Sequence, residues 1–286
     1  ADLDRIEVLA KLLKLREMLD LRSKTCQSWM KFVCEDGKLH PTFKTVVNQN
    51  IGYSSSEESG GAQSGRLSSN DPNSQQFPKD EIYFVRQFME APEGYTFVEI
   101  DYTSIEPMLI AIVTGCKRLH EIFEEGKDIY LATADDIFEL NIDWSQPMSE
   151  IKEKYSKIRK IFKVGFLAWC YGQHKKSFAK RCGISDEQTE LFYENAKKYY
   201  WEIYKWKEDV YAKIDAGEYL LTLSGRKRKF PLYVAKDNSW QERRKENNVR
   251  DKARRVGVNF LIQSLGSDIT LWMACNIMDW IQDNDL

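Results

Sequence analysis

The sequence predicts an α+β fold: a short apolar strand leads into a long succession of helices, a β-hairpin interrupts them, and one long helix follows. Three observations carry this. Tyr95 to Asp101 is a β-favouring run, residues 119–214 keep helical periodicity through three stretches, and Gly217 to Pro231 has the composition of a hairpin.

Taken in order, residues 3–35 place Ile6, Leu9, Leu12, Leu13, Leu15, Met18 and Leu19 at helical spacing amid alternating charges, which predicts one or two amphipathic helices. Gly37 to Phe43 reads as a short turn and strand. The Ser-, Gly- and Asn-rich stretch Asn48–Asn73 reads as a loop, and a polar loop of that length in a compact domain is functional or disordered. After the strand at Tyr95–Asp101, Ile105, Met108, Leu109, Ile112 and Val113 share one face of a helix whose first turn tolerates Pro107. Helical periodicity returns over Leu119–Leu140, Ser149–Tyr171 and Asp186–Ile214, so an all-helical lobe follows the strand. In the hairpin, Tyr219, Leu221, Thr222 and Leu223 favour strand and Gly225 breaks it. The long helix is expected from about Val249 to Gln282.

With 286 residues, 42% hydrophobic and 30% charged, the chain can bury a core and build two or more lobes, which excludes the disordered class. A net charge of -2 gives no global polycation, so nucleic-acid binding must rest on local clustering. Arg226 to Lys229, Arg243, Arg244, Lys245, Arg250, Lys252, Arg254 and Arg255 supply it, whereas Glu121, Glu124, Glu125, Asp128, Asp135 and Asp136 form an acidic stretch. The six cysteines show no CxxC pair, no apolar run reaches membrane-spanning length and no signal-peptide pattern opens the chain, so a soluble intracellular protein is expected.

Asp101 ends the apolar strand and Glu106 opens the next helix. A strand end fixes a carboxylate rigidly, and oxygen-only ligands suit Mg²⁺, which retains waters and binds substrate phosphates. A helix cap explains the same Asp without any metal. Farther on, Arg159, Lys163, Leu167 and Tyr171 fall at four-residue steps, a stripe that drifts only about 40° per step on an α-helix. Two cations one turn apart match a polyphosphate, and the apolar residue and phenol beyond them suit a base or sugar. Taken alone, the pair is better explained by a solvated basic turn, since surface cations are the norm. Arg255, Asn259 and Gln263 share a face at the same spacing, and such donors fit the nearly sequence-blind acceptor pattern of the DNA minor groove, although a solvated polar face has the same composition.

These residues carry a resemblance. Asp101-Tyr102-Thr103-Ser104-Ile105-Glu106 resembles the DYSQIELR palm motif of family A DNA polymerases, the bacterial DNA polymerase I type. Arg159-x3-Lys163-x7-Tyr171-Gly172 is similar to the fingers-helix motif, and Arg255-x3-Asn259-x3-Gln263 with Asp268 to the later palm helix. Ser64-Gly65-Arg66-Leu67-Ser68-Ser69 through Pro72-Asn73 matches TGRLSSxxPN, and Thr222-Leu223-Ser224-Gly225-Arg226-Lys227-Arg228 matches TLxGRRR. The five motifs stand in the family's order across residues 37–282.

The resemblance implies a right-hand polymerase: an antiparallel palm with helices plus an all-helical fingers lobe, ending before the last palm motif. It divides the chain into 1–48 (thumb base and palm entry), 49–115 (palm with the first metal motif), 116–248 (fingers, with the phosphate-binding helix at about 149–171) and 249–286 (palm helix). It further implies that Asp101 and the Tyr102 carbonyl ligate two Mg²⁺ ions, that Arg159 and Lys163 hold the dNTP triphosphate, and that Leu167 lies against the nucleotide. Glu106 paired with Tyr171 would fill the space of a ribose 2′-hydroxyl. Arg66, Asn73, Gln75, Arg255, Asn259 and Gln263 would follow primer-template DNA. The setting implied is the cytoplasm of a bacterial cell or phage-infected host, with no membrane partner.

Several positions depart from the family pattern. Leu167 replaces a usual Phe or Tyr, Ser104 a Gln, Pro107-Met108 a Leu-Arg, and Tyr130 a His. The His-Asp dipeptide that carries the second metal ligand is expected after the last helix, whereas Asp283 and Asp285 read as a solvated helix end and Glu99 as a weak substitute on the strand face. The expectation is therefore a polymerase core, inactive or weak as this piece, completed by a C-terminal segment or complementing chain. The alternative is a catalytically inactive relative that binds primer-template or a partner.

Overall fold

Sequence-local helical signals and sequence-distant β pairing fare differently in this chain, as the computed structural model shows for residues 2–45, 62, 64–77 and 85–284. Two units form, Ala1–Ile100 and Asp101–Leu286.

In the first unit, α1 (Asp2–Asp20) runs through a π-helical turn at Leu21–Cys26 into α2 (Gln27–Met30). The expected helix is present, yet Leu9, Leu12, Leu13, Leu15, Met18 and Leu19 are all more than half exposed, so its apolar residues find no cover among the described residues. A bridge between Val33 and Leu39 closes a turn, after which β1 (Thr42–Lys44) pairs antiparallel with β2 (Ser68–Asn70) in the register Thr42↔Asn70, Phe43↔Ser69 and Lys44↔Ser68. Residues 48–61 and 63 of the expected loop lie outside the described residues. Buried Ser69 fastens the turn after β2: its hydroxyl donates to Pro72 O at 3.2 Å and accepts from Ser74 N at 3.1 Å.

The expected strand at Tyr95–Asp101 does not form. Tyr95, Phe97, Val98 and Ile100 are 77%, 70%, 68% and 63% exposed. A strand exists only as part of a ladder, and no described residue pairs with this segment, so β-favouring composition alone does not hold it.

The second unit is helical: α3 (Ile105–Thr114), α4 (Lys117–Glu124), α5 (Ile129–Phe138), α6 (Met148–Lys154), α7 (Ser156–Cys170), α8 (Lys175–Cys182), α9 (Asp186–Tyr199) and α10 (Trp201–Asp215). A hairpin of β3 (Leu220–Leu221) and β4 (Lys227–Arg228) precedes α11 (Trp240–Asp283). The helix α11 starts before the expected Val249 because Ser239 caps it, accepting from Glu242 N at 3.4 Å in an S-x-x-E arrangement. On α3 the buried face also differs from expectation. Ile110 is fully buried while Met108 and Ile112 are 43% and 52% exposed, because α4, α10 and α11 pack on the helix and cover the Leu109–Ala111 side.

Aromatic rings fill the main core. Phe162 of α7 lies 5.4 Å from Phe192 of α9, which lies 4.6 Å from Phe178 of α8, and Phe166 and Tyr200 are buried beside them. Such ring pairs add roughly 0.5–1.5 kcal/mol each beyond their burial. A second core joins α10, the hairpin and α11 through Val210, Ile214, Leu220, Phe230, Val258 and Phe260. One polar cluster crosses the helices: the Asp136 carboxylate accepts from Arg118 Nε at 2.8 Å, Arg118 Nη2 at 2.7 Å and Tyr200 Oη at 2.6 Å. No helix of the described residues is long and apolar enough to cross a membrane.

Lys207 of α10 is buried; its Nζ donates to Trp169 O at 2.9 Å and sits 3.9 Å from the Trp169 ring centroid. Burial brings this amine down to about 8 from 10.5. Between those values the unfolded chain binds the proton and the native chain does not, so stability rises with pH. The buried thiols of Cys116 and Cys170, pushed up from 9.0 to about 12, act in the opposite sense as pH approaches and passes 9. We expect Lys207 to contribute a climb on the order of 1 kcal/mol between pH 8 and 9, read as the change across that window in the stability difference between the unaltered protein and Lys207→Met, in which the thiol contribution cancels.

Candidate functional site

Two helix ends build the site. Ser104 takes φ 58, an uncommon conformation for a residue with a side chain, and turns the chain into α3 so that Glu106 falls in the first turn, where a carboxylate is favoured by the helix dipole. Tyr171 follows α7 as its cap, and Gly172 continues in the left-handed region at φ +76, where any Cβ would collide with the Tyr211 hydroxyl. The two ends meet: Tyr171 Oη donates to Glu106 Oε2 at 3.0 Å. Tyr130 is buried nearby, its phenol pushed up by burial and drawn partly back by a hydrogen bond with Ser104.

The stripe on α7 divides. Lys163, Leu167 and Tyr171 line an open cleft of about 590 Å³ together with Arg181 of α8 and Arg255 and Asn259 of α11. Arg159 is drawn instead to Asp128, the N-cap of α5, with Nε and Nη2 each 2.8 Å from Oδ2. Its guanidinium also lies 5.6 Å from the Tyr130 ring centroid. Asp128 accepts in addition from Tyr130 N and Leu131 N at 3.2 and 3.1 Å. Sequence reading missed this anchor, although Asp before the apolar run Ile129-Tyr130-Leu131 is an N-cap signal.

On α11, Arg255 Nη1 donates to His174 Nε2 at 2.9 Å, a partner with no sequence signal. Asn259 Oδ1 is buried with no hydrogen-bond partner among the described residues, an unmet acceptor beside the cleft. Gln263, one turn on, is half-buried. Asp268 accepts from Arg226 Nε at 2.7 Å and from the Ser224 hydroxyl, fastening the hairpin to α11. In the first unit, Arg66 is exposed, Asn73 Oδ1 accepts from Gln75 N at 3.1 Å, and Gln75 Nε2 donates to Leu67 O at 2.8 Å across the turn holding the cis Asp71–Pro72 bond.

Asp101 is exposed and stands outside any strand, which corrects the rigid strand-end placement: without a ladder the segment has nothing to fix it. Tyr102 is 39% exposed. Among the described residues Asp101 belongs to no group of three metal donors. One carboxylate with a neighbouring carbonyl can anchor Mg²⁺ alongside waters and phosphates, and it falls short of a full protein shell.

The family described as DNA polymerase family A matches residues 1–286. DNA polymerase I of Treponema pallidum is 27% identical over 92% of this chain and 23% of its own length, and the thermostable DNA polymerase I of Thermus aquaticus is 26% identical over 92% of this chain and 28% of its own. The chain thus spans about a quarter of these curated relatives. The solved POL domain of Pol1 from M. smegmatis, in complex with DNA primer-template and dNTP, superposes with a TM-score of 0.75 at 26% identity, covering 97% of this chain and 44% of that one.

Asp128→Ala removes both the α5 cap and the partner of Arg159, and is expected to lower stability by about 2 kcal/mol or more, whereas Asp128→Asn, which keeps a capping oxygen, costs less. Denaturant unfolding of the two variants checks the order.

Proposed function

This chain belongs to DNA polymerase family A, and on that premise we propose that it is the core of a template-directed DNA polymerase, which transfers deoxynucleotides from dNTPs to the 3′-hydroxyl of a primer. The observation that carries the reading is the Tyr171–Glu106 hydrogen bond at the cleft that Lys163 and Leu167 line. It sets a carboxylate, a phenol, a cation and an apolar contact around one opening. That set suits a deoxynucleoside triphosphate.

Lys163, exposed at the cleft, offers a point charge to the triphosphate. Arg159, held by Asp128 through Nε and Nη2, keeps Nη1 without a protein partner among the described residues and so available to phosphate. Glu106, kept in place by the Tyr171 hydroxyl, takes the volume a ribose 2′-hydroxyl needs and would leave that hydroxyl against a carboxylate already committed. Leu167 packs on the sugar and base with less contact than a ring. Arg255, Asn259 with its unmet acceptor, and Gln263 face the new base pair, while Arg66, Asn73 and Gln75 follow the primer-template. Movement of α7 onto a correct pair would close the site by induced fit.

Polymerases of this family are metal-dependent. Two Mg²⁺ ions, held here by Asp101 and the Tyr102 carbonyl, would activate the primer hydroxyl and stabilise the leaving oxygen. Because Asp101 belongs to no group of three donors among the described residues, a segment later in the protein or on another chain would complete the shell. The same observation favours a second reading, a catalytically inactive relative that binds primer-template.

Primer extension with Mg²⁺ and dNTPs by the protein carrying this chain separates the two. Templated extension that falls about a thousandfold or more in Asp101→Ala, with primer-template binding retained, is the expected outcome. Binding without extension in the unaltered protein would select the second reading. In the active protein, Glu106→Ala should raise ribonucleotide incorporation. Leu167→Phe should lower the KM for dNTP about fivefold, since stacking contributes on the order of 1 kcal/mol per base.

A further inference from the structure

Three different metal-ligating side chains converge in the turn that precedes β1. Cys34, Asp36 and His40 are all exposed, and one donor atom from each lies within 4.8 Å of the other two. Backbone geometry explains the convergence. Val33 and Leu39 bridge antiparallel, Cys34 N donates to Lys38 O at 2.9 Å, and Gly37 N donates to Cys34 O at 2.9 Å. Gly37 takes φ 74, the left-handed conformation that lets so short a segment reverse. Side chains add to the order: Lys38 N donates to Asp36 Oδ1 at 3.0 Å, and His40 Nε2 lies 2.9 Å from Asp36 Oδ2. One carboxylate oxygen is thus fixed by the backbone and the other by the imidazole.

We propose that Cys34, Asp36 and His40 form a divalent-cation site suited to Zn²⁺, with water as the fourth ligand. A sulfur, nitrogen and oxygen donor set matches this borderline ion, whereas Mg²⁺ prefers oxygen alone, so the site differs in kind from the one proposed at Asp101. Tetrahedral Zn²⁺ with Zn–S of about 2.3 Å and Zn–N or Zn–O of about 2.0–2.1 Å places its donors roughly 3.3–3.6 Å apart. From within 4.8 Å of one another, the donors would close by about 1.2–1.5 Å to reach that spacing, a shift on the scale of side-chain torsions. The Cys34 thiol now makes only a weak contact with Phe32 O at 3.8 Å, and the other two side chains reach solvent, so an ion can enter. On binding, Cys34 gives its thiol proton to solvent and ligates as thiolate. His40 ligates as neutral imidazole and Asp36 as carboxylate, the contact between His40 Nε2 and Asp36 Oδ2 giving way to the ion. The bound ion would brace the turn that feeds β1, whose partner β2 belongs to the Ser64–Asn73 segment.

Titration of the chain with Co²⁺, followed by Zn²⁺ displacement, tests the site. A thiolate-to-cobalt charge-transfer band with tetrahedral visible bands, saturating at one equivalent and bleached by Zn²⁺, is expected. Cys34→Ser should abolish the band, while Cys26→Ser and Cys275→Ser, the other exposed cysteines, retain it. His40→Ala and Asp36→Ala should weaken Zn²⁺ binding by more than the roughly tenfold that loss of an outer-shell partner costs. Far-UV circular dichroism verifies that each variant is folded, as expected for exposed turn positions. Absence of the band in the unaltered chain, its survival in Cys34→Ser, or unchanged affinity in His40→Ala would overturn the proposal.

Discussion

The cleft depends on one hydrogen bond, from the Tyr171 hydroxyl to the Glu106 carboxylate, which joins the end of α7 to the beginning of α3 across 65 residues of sequence. A bond to a charged acceptor contributes about 1.5–3 kcal/mol, more than a neutral pair, and it has a direction. Its geometry requires both helix ends to be immobile. The first is set by the turn at Ser104 and by Leu109 and Ile110 in the core; the second is set by Phe162, Phe166 and Trp169, which bury one side of α7 while Lys163 stays in solvent.

That division of α7 explains how one helix serves both core and site. Its aromatic residues pack against α5, α8 and α9, and the opposite side carries Arg159, Lys163, Leu167 and Tyr171. Charge is managed locally. Arg159 is oriented by Asp128, Arg118 by Asp136, Arg226 by Asp268 and Arg254 by Asp215, whereas at the cleft Arg181 and Arg255 are held by Gln173 and His174 and Lys163 is exposed. With a net charge of -2, the proposed nucleic-acid binding rests on placement of charge, not on excess.

Much of the fold was legible because helices are written in local periodicity. The helical stretches are present but each is broken in two, at 125–128, at Tyr155 and at Tyr200, so the phosphate-binding helix expected at about 149–171 is α7 alone; the hairpin at 217–231 and the Gly172 stop are present, and the Ser239 cap that starts α11 early was readable as S-x-x-E but overlooked. What failed was non-local. The 95–101 segment has strand composition and no ladder among the described residues, and the buried side of α3 was misjudged because α4, α10 and α11, not its own sequence, determine it. At the site, spacing brought Lys163, Leu167 and Tyr171 to one face, whereas the meeting of Tyr171 with Glu106 followed only from the family resemblance. The capture of Arg159 by Asp128, 31 residues away, and the unmet acceptor of Asn259 needed three-dimensional placement. At 26% identity the solved POL domain shares the fold; Leu167 lines the cleft, and Tyr130 lies under the Arg159 guanidinium.

The account stands on Tyr171 and Glu106 acting as one unit in choosing the sugar. A double-mutant cycle with Tyr171→Phe and Glu106→Ala, read as the ratio of deoxynucleotide to ribonucleotide use on primer-template, measures this directly. The account predicts that Tyr171→Phe relaxes discrimination in the unaltered protein and adds little once Glu106 is gone, a coupling on the order of 1–2 kcal/mol. Fully additive effects, or no change in discrimination from either substitution, would contradict it.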